Sequence, residues 1–181
     1  KKDYTIPCVS LDLGVHVHHL VHYLLGGKKY LSVQSKQASF GKVLDVVDTV
    51  ALLADYEDDI LASFMWGKAA LGYRNGLHVR VFGEEGALEW CQTDPETLHL
   101  ATADGRRQTV DRGQANLLEA SKARYNRFKA GHPAGYIEAF ANVYADFAER
   151  IMHGASVTVA DNFSAEVAAQ GIALMEEIAS K

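Results

Sequence analysis

The spacing of apolar residues changes period twice along this chain, which restricts it to folds that combine helices with a run of strands. Leu13, Val17, Leu20, Val21 and Leu24 recur at helical spacing, and Gly26-Gly27 stops the run where a C-cap is wanted, predicting a first helix over 13–24. From about residue 30 to residue 110 the pattern shortens to strands, expected at 30–40, 49–55, 60–66, 69–74, 78–82, 87–91 and 98–101. The clearest pair is a hairpin. Leu77, Val79 and Val81 alternate with His78 and Arg80, Gly83-Glu84-Glu85-Gly86 turns the chain, and Ala87-Leu88-Glu89-Trp90 returns. Trp66, Trp90 and Tyr73 are expected to pack on these strands.

Helical spacing then resumes. His132-Pro133 precedes a helix whose Ile137, Phe140, Ala141, Tyr144, Phe147, Ala148 and Ile151 share a stripe opposite Glu138, Asn142, Glu149 and Arg150. A last helix, over about 162–179, carries Phe163, Val167, Gly171, Leu174, Met175 and Ile178, with Asp161 or Ser164 as N-cap. Helix, strands, then helices reads as α+β: a mostly antiparallel, open-faced sheet with helices packed on one face. A half-apolar sheet of that kind needs its other face solvated or paired, which makes it the expected surface for homo-oligomers.

Composition narrows the function classes. With 181 residues, 48% of them hydrophobic, the chain can bury a core and is expected to form a single domain over 1–181. Its 18 basic and 23 acidic residues include no basic block, which argues against a nucleic-acid surface or a polybasic membrane patch. Small molecules or protein are the expected partners. Cys8 and Cys91 stand far apart in no CxxC arrangement, so neither a disulfide framework nor a structural zinc site is indicated and a cytoplasmic setting is expected. There is no GxGxxG after a strand, GxxxxGK[ST], GxSxG or HExxH, so this stretch by itself carries no glycine-rich dinucleotide turn.

Chemistry concentrates at the mouth of the first helix. Asp12 and His16 are four residues apart and share a helical face, so the carboxylate can orient or charge-stabilise the imidazole, the layout of a general acid/base with its partner. Asp12 also suits an N-cap. His16, His18, His19 and His22 crowd into seven residues, with His18 and His22 on one stripe and His16 and His19 on another. Acid/base chemistry, a zinc site and plain structural histidines all fit that cluster, although no third metal ligand stands at a known spacing downstream. His132, before the Pro133 helix start, is either a substrate contact or a neighbour of the cap.

Four blocks in order resemble one family. Ser10-Leu11-Asp12-Leu13-Gly14-Val15-His16 through Tyr23-Leu24-Leu25-Gly26 is similar to the D-x-G-x-H … Y-L-x-G segment of the glucose-fructose oxidoreductase/inositol dehydrogenase/MocA family. Asp55-Tyr56-Glu57-Asp58-Asp59 ahead of the 60–66 strand is similar to the next block. The segment from Leu77 to Trp90 resembles the G-x-x-G-x-L-x-W hairpin, and His132-Pro133-Ala134-Gly135-Tyr136 through Tyr144 resembles the H-P-x-G-Y-x-E-A-F-A-N-x-Y helix. Two positions depart from the pattern. Ile6-Pro7-Cys8-Val9-Ser10 replaces the glycine-rich lead-in common in the family, and His19 stands where many members carry Asp.

The resemblance implies a C-terminal substrate-binding and oligomerisation domain, with the N-terminal Rossmann domain that binds NAD or NADP, and its Glu-Lys-Pro lysine, missing from this chain; the absent initiator Met agrees with an excised piece. It implies an oxidoreductase acting on a sugar, polyol or cyclitol, with His16 as the acid/base, Asp12 as its positioning carboxylate, and His19 and His132 near substrate. The isolated chain is expected to be inactive and to bind no metal. The readings from other classes are a non-catalytic binding or regulatory protein of the same fold and a metal-dependent hydrolase built on the histidine cluster.

Overall fold

A computed structural model describes residues 5–43, 45–115, 117–154 and 164–181, which fall into two compact units, 5–72 with 164–181 and 73–154. The first unit opens with a π-helical turn, Ser10–Gly14, that runs into α1, Val15–Leu24. Strands β1, Tyr30–Ala38, β2, Thr49–Tyr56, and β3, Ile60–Gly67, follow as an antiparallel meander. Along β2 the alternation is strict: Val50, Leu52, Ala54 and Tyr56 are buried while Ala51, Leu53 and Asp55 are exposed. Register carries the same face across the sheet, pairing Leu52 with Phe64 and Val50 with Trp66. Against it lie α1 and α3, Ala165–Ser180, whose Val167, Leu174, Met175 and Ile178 complete the core. Ser164 caps α3, its Oγ accepting from the Val167 amide at 3.2 Å. The other sheet face exposes Leu53, Leu61 and Met65.

In the second unit β4, His78–Gly83, β5, Gly86–Cys91, β6, Asp94–Thr102, and β7, Arg107–Asp111, form a four-stranded antiparallel meander. The helix α2, Tyr136–His153, starts where the Glu138 carboxylate accepts from the Gly135 amide at 2.7 Å. No residue of α2 is buried. Between β7 and α2 the chain is organised by arginines. Arg112 pairs with Glu96 at 2.5 Å and donates to the carbonyls of Phe128, Lys129 and His132 at 2.6, 3.3 and 2.7 Å. Arg124 pairs with Asp146, and Arg127 reaches Asn142 Oδ1 at 2.7 Å, both on α2.

The α+β class and the antiparallel strands agree with the sequence pattern; the details differ at four places. The strands divide into two sheets rather than one, because apolar alternation says which face is buried and not which strands pair. Residues 69–74 are not a strand. Gly72 takes a left-handed φ of 83°, and Leu71 and Tyr73 project almost fully into solvent, so Tyr73 does no sheet packing. The edge strand β7 escapes the pattern because Val110 is its one buried residue. The first helix begins before Leu13, with helical backbone already at Cys8, while Asp161 and Phe163, assigned to the last helix, lie outside the described residues. No helix among the described residues is long and apolar enough to cross a membrane.

Candidate active site

The chain enters its first helix at Pro7, whose carbonyl accepts from the Ser10 and Leu11 amides at 2.9 and 3.2 Å. One turn later the backbone widens: the Val15 amide reaches the Ser10 carbonyl, five residues back, which defines the π turn. Such turns are frequent at functional sites. Its inner side is packed tightly. Ser10 is fully buried and its Oγ accepts from Trp66 Nε1 at 3.3 Å, while a Cβ on Gly14 would lie 2.5 Å from Met175 Sδ and 3.0 Å from the Trp66 ring. Glycine is therefore what lets the turn lie flat on β3 and α3. The opposite side of the turn carries Asp12, which is exposed, as is His16 one turn on.

Asp12 forms an ion pair with Lys68, the residue directly after β3. The Lys68 ammonium, by hydrogen bond and charge, holds the Asp12 carboxyl below its ordinary range, with a smaller pull from His16. Reciprocally, Asp12 raises the Lys68 ammonium, and the nearby Cys8 adds to this. So Asp12 and His16 come within electrostatic reach of each other, and the carboxylate's bonded partner is Lys68. Asp12 caps nothing: the π turn is preceded by Val9 and α1 by Gly14, neither with a side-chain cap bond.

The remaining histidines divide. His18 is a core residue, packed so closely on Gly171 of α3 that a Cβ there would sit 2.9 Å from its Cδ2. Burial and then the charge of His22 push its imidazole pKa down, against a hydrogen bond from the ring to the Val167 backbone. The His18 and His22 rings lie 6.1 Å apart, as the i,i+4 stripe requires. His19 is half-buried, and burial followed by the charges of His22 and His16 pushes it down as well. His132 belongs to the second unit, exposed in the loop before α2, with its Nδ1 3.1 Å from the Lys129 carbonyl. Among the described residues no three His, Cys, Asp or Glu side chains are grouped to hold a metal ion.

Lys68 was hidden from sequence reasoning. Its position after the strand is readable, but nothing local links it to a carboxylate 56 residues earlier.

The fold is one that solved oxidoreductases share. Residues 7–89, which hold Asp12, His16, His19 and Lys68, match the family model described as the GFO/IDH/MocA C-terminal domain. Over 138 residues, 76% of its length, it is 26% identical to an uncharacterised oxidoreductase, YfiI, of Bacillus subtilis strain 168, of which it covers 35%. An oxidoreductase from Sinorhizobium meliloti shares the fold at TM-score 0.81 and 28% identity, over 95% of this chain and 49% of that one. An inositol dehydrogenase homologue from Azotobacter vinelandii, solved with NADH and myo-inositol, shares it at TM-score 0.81 and 24% identity, over 93% of this chain and 46% of that one. This chain thus spans about a third of the curated relative and about half of each of these two solved chains.

Proposed function

We propose that this chain is the substrate-side domain of an NAD(P)-dependent oxidoreductase that interconverts a hydroxyl and a carbonyl on a sugar, polyol or cyclitol. The observation that carries the reading is the exposed His16 imidazole one turn from an ionised Asp12, on the open side of a helix within the stretch that matches the family model. The inositol dehydrogenase homologue with NADH and myo-inositol supports the choice of cofactor and substrate class. A nicotinamide, held by a dinucleotide-binding domain outside the described residues, supplies the hydride acceptor or donor.

The residues of this chain do the proton half of the chemistry. As an alcohol carbon is oxidised its hydroxyl proton must leave, and the neutral ring of His16 accepts it; in reduction the imidazolium returns it. Asp12, one turn away, is assigned to position that ring. His19, on the same helix, is assigned to a hydroxyl group of the substrate. The exposed face of the three-stranded sheet, with Leu53, Leu61 and Met65, is assigned to self-association.

The test is His16→Ala in the full-length protein, assayed with NAD or NADP against a panel of sugars and cyclitols. A general base acts in the transition state, so kcat should fall about 100- to 10,000-fold with a much smaller change in KM. Near-normal kcat would overturn the assignment.

A further inference from the structure

Two contacts, both two residues apart on each element, join the π turn to the end of β3: Ser10 with Trp66, and Asp12 with Lys68. The first is buried and the second exposed. The buried contact and the Gly14 packing fix the backbones, and the Lys68 amide, donating to the Asp48 carbonyl at 2.8 Å, fixes the start of the lysine side chain. The neighbouring Asp48 carboxylate does not compete for the ammonium, since it accepts from the Phe40 and Gly41 amides and from Thr49 Oγ1. Lys68 is thus held with Asp12 as its bonded carboxylate. The His16 charge acts on Asp12 in the π turn and on His19 in α1, and Cys8 acts on Lys68.

We infer that Lys68 is a positioning residue for the Asp12–His16 pair: it holds the Asp12 carboxylate at the end of β3 and so sets how strongly that charge acts on the imidazole. The consequence for catalysis rests on the reading of His16 as the proton carrier, whereas the coupling among the three groups rests on the Asp12–Lys68 ion pair and on the one-turn spacing of Asp12 and His16. An exposed ion pair contributes little to stability, so its loss should alter the histidine without unfolding the chain. With the ammonium gone the Asp12 charge is unopposed and the imidazolium is favoured.

The experiment is an NMR titration of the His16 ring in the 181-residue chain, assigned by its disappearance in His16→Gln. Lys68→Met should raise the His16 midpoint by about half a pH unit, and Lys68→Arg should leave it near that of the parent. Placed on Asp12→Asn, Lys68→Met should lose most of its effect, because the lysine then has no carboxylate to hold. An unchanged midpoint in Lys68→Met, or an equal rise with and without Asp12, would overturn the inference. A merely structural role would lower the thermal midpoint and leave the titration where it was, which also counts against it. Failure of the proton-carrier reading registers separately, as unimpaired turnover in full-length His16→Ala, and leaves the titration result standing.

Discussion

Gly171 of α3 lies directly against the His18 ring of α1, close enough that a Cβ on the glycine would come within 2.9 Å of His18 Cδ2. Alanine ordinarily favours a helix over glycine by about 1 kcal/mol. Here the ring is buried and cannot retreat, and overpacking of that kind costs about 1–3 kcal/mol. Gly171→Ala should therefore lower the urea midpoint of the chain. On a His18→Ala background the same change should become stabilising, and a stabilising effect on the parent chain would contradict the packing described.

The chain should lose stability as the pH falls below neutral. Burial depresses the folded-state pKa of His18, and of His19 to the same sign, so the unfolded chain takes up these protons first. Their contribution is fully present above the ordinary imidazole value of about 6.5 and is lost as the pH falls through the depressed folded values. Urea midpoints at pH 7.5 and 5.5 should differ for the parent and differ less for His18→Gln. Equal pH sensitivity in the two would remove His18 from the account.

Arg112→Ala should loosen the loop that carries His132. The guanidinium is almost entirely buried, and its removal leaves Glu96 and three backbone carbonyls without their donor. A loss of about 2–4 kcal/mol is expected for the second unit. Hydrogen exchange should quicken over 126–132, and Arg112→Lys should restore little of the protection, since one ammonium cannot span the same fork of acceptors. Unchanged exchange in that loop would show that Arg112 does not brace it.

The outer face of the three-stranded sheet should mediate self-association. Light scattering should report a dimer or larger species, and Leu61→Lys with Met65→Lys should dissociate it without lowering secondary-structure content. A monomer at high concentration in the parent would withdraw the assignment.

Much of the local structure was legible because it follows from single-residue preferences. Gly26 and Gly27 end α1 with left-handed φ values of 62° and 85°, Ser164 caps α3, and the alternation of β2 marks its core face. What sequence spacing missed depends on distant partners. Lys68 acquires its meaning from Asp12, His18 from Gly171, and Arg112 from carbonyls that carry no side-chain signature. The i,i+4 spacing placed Asp12 and His16 on one side of a helix, but it could not show that another element would take up the carboxylate.

The π turn at Ser10–Gly14 makes the site sensitive to chain length as well as to residue identity. Removal of a single residue between Val9 and Val15 would let the helix close at its ordinary pitch and rotate everything beyond it by about 100° relative to what precedes it. Every side chain discussed above could survive that deletion, and His16 would still face a different direction from the one it faces here. For this domain, insertions and deletions in a five-residue window are therefore the changes most able to uncouple an intact set of residues from its chemistry, and a comparison scored on matching letters alone would pass over them.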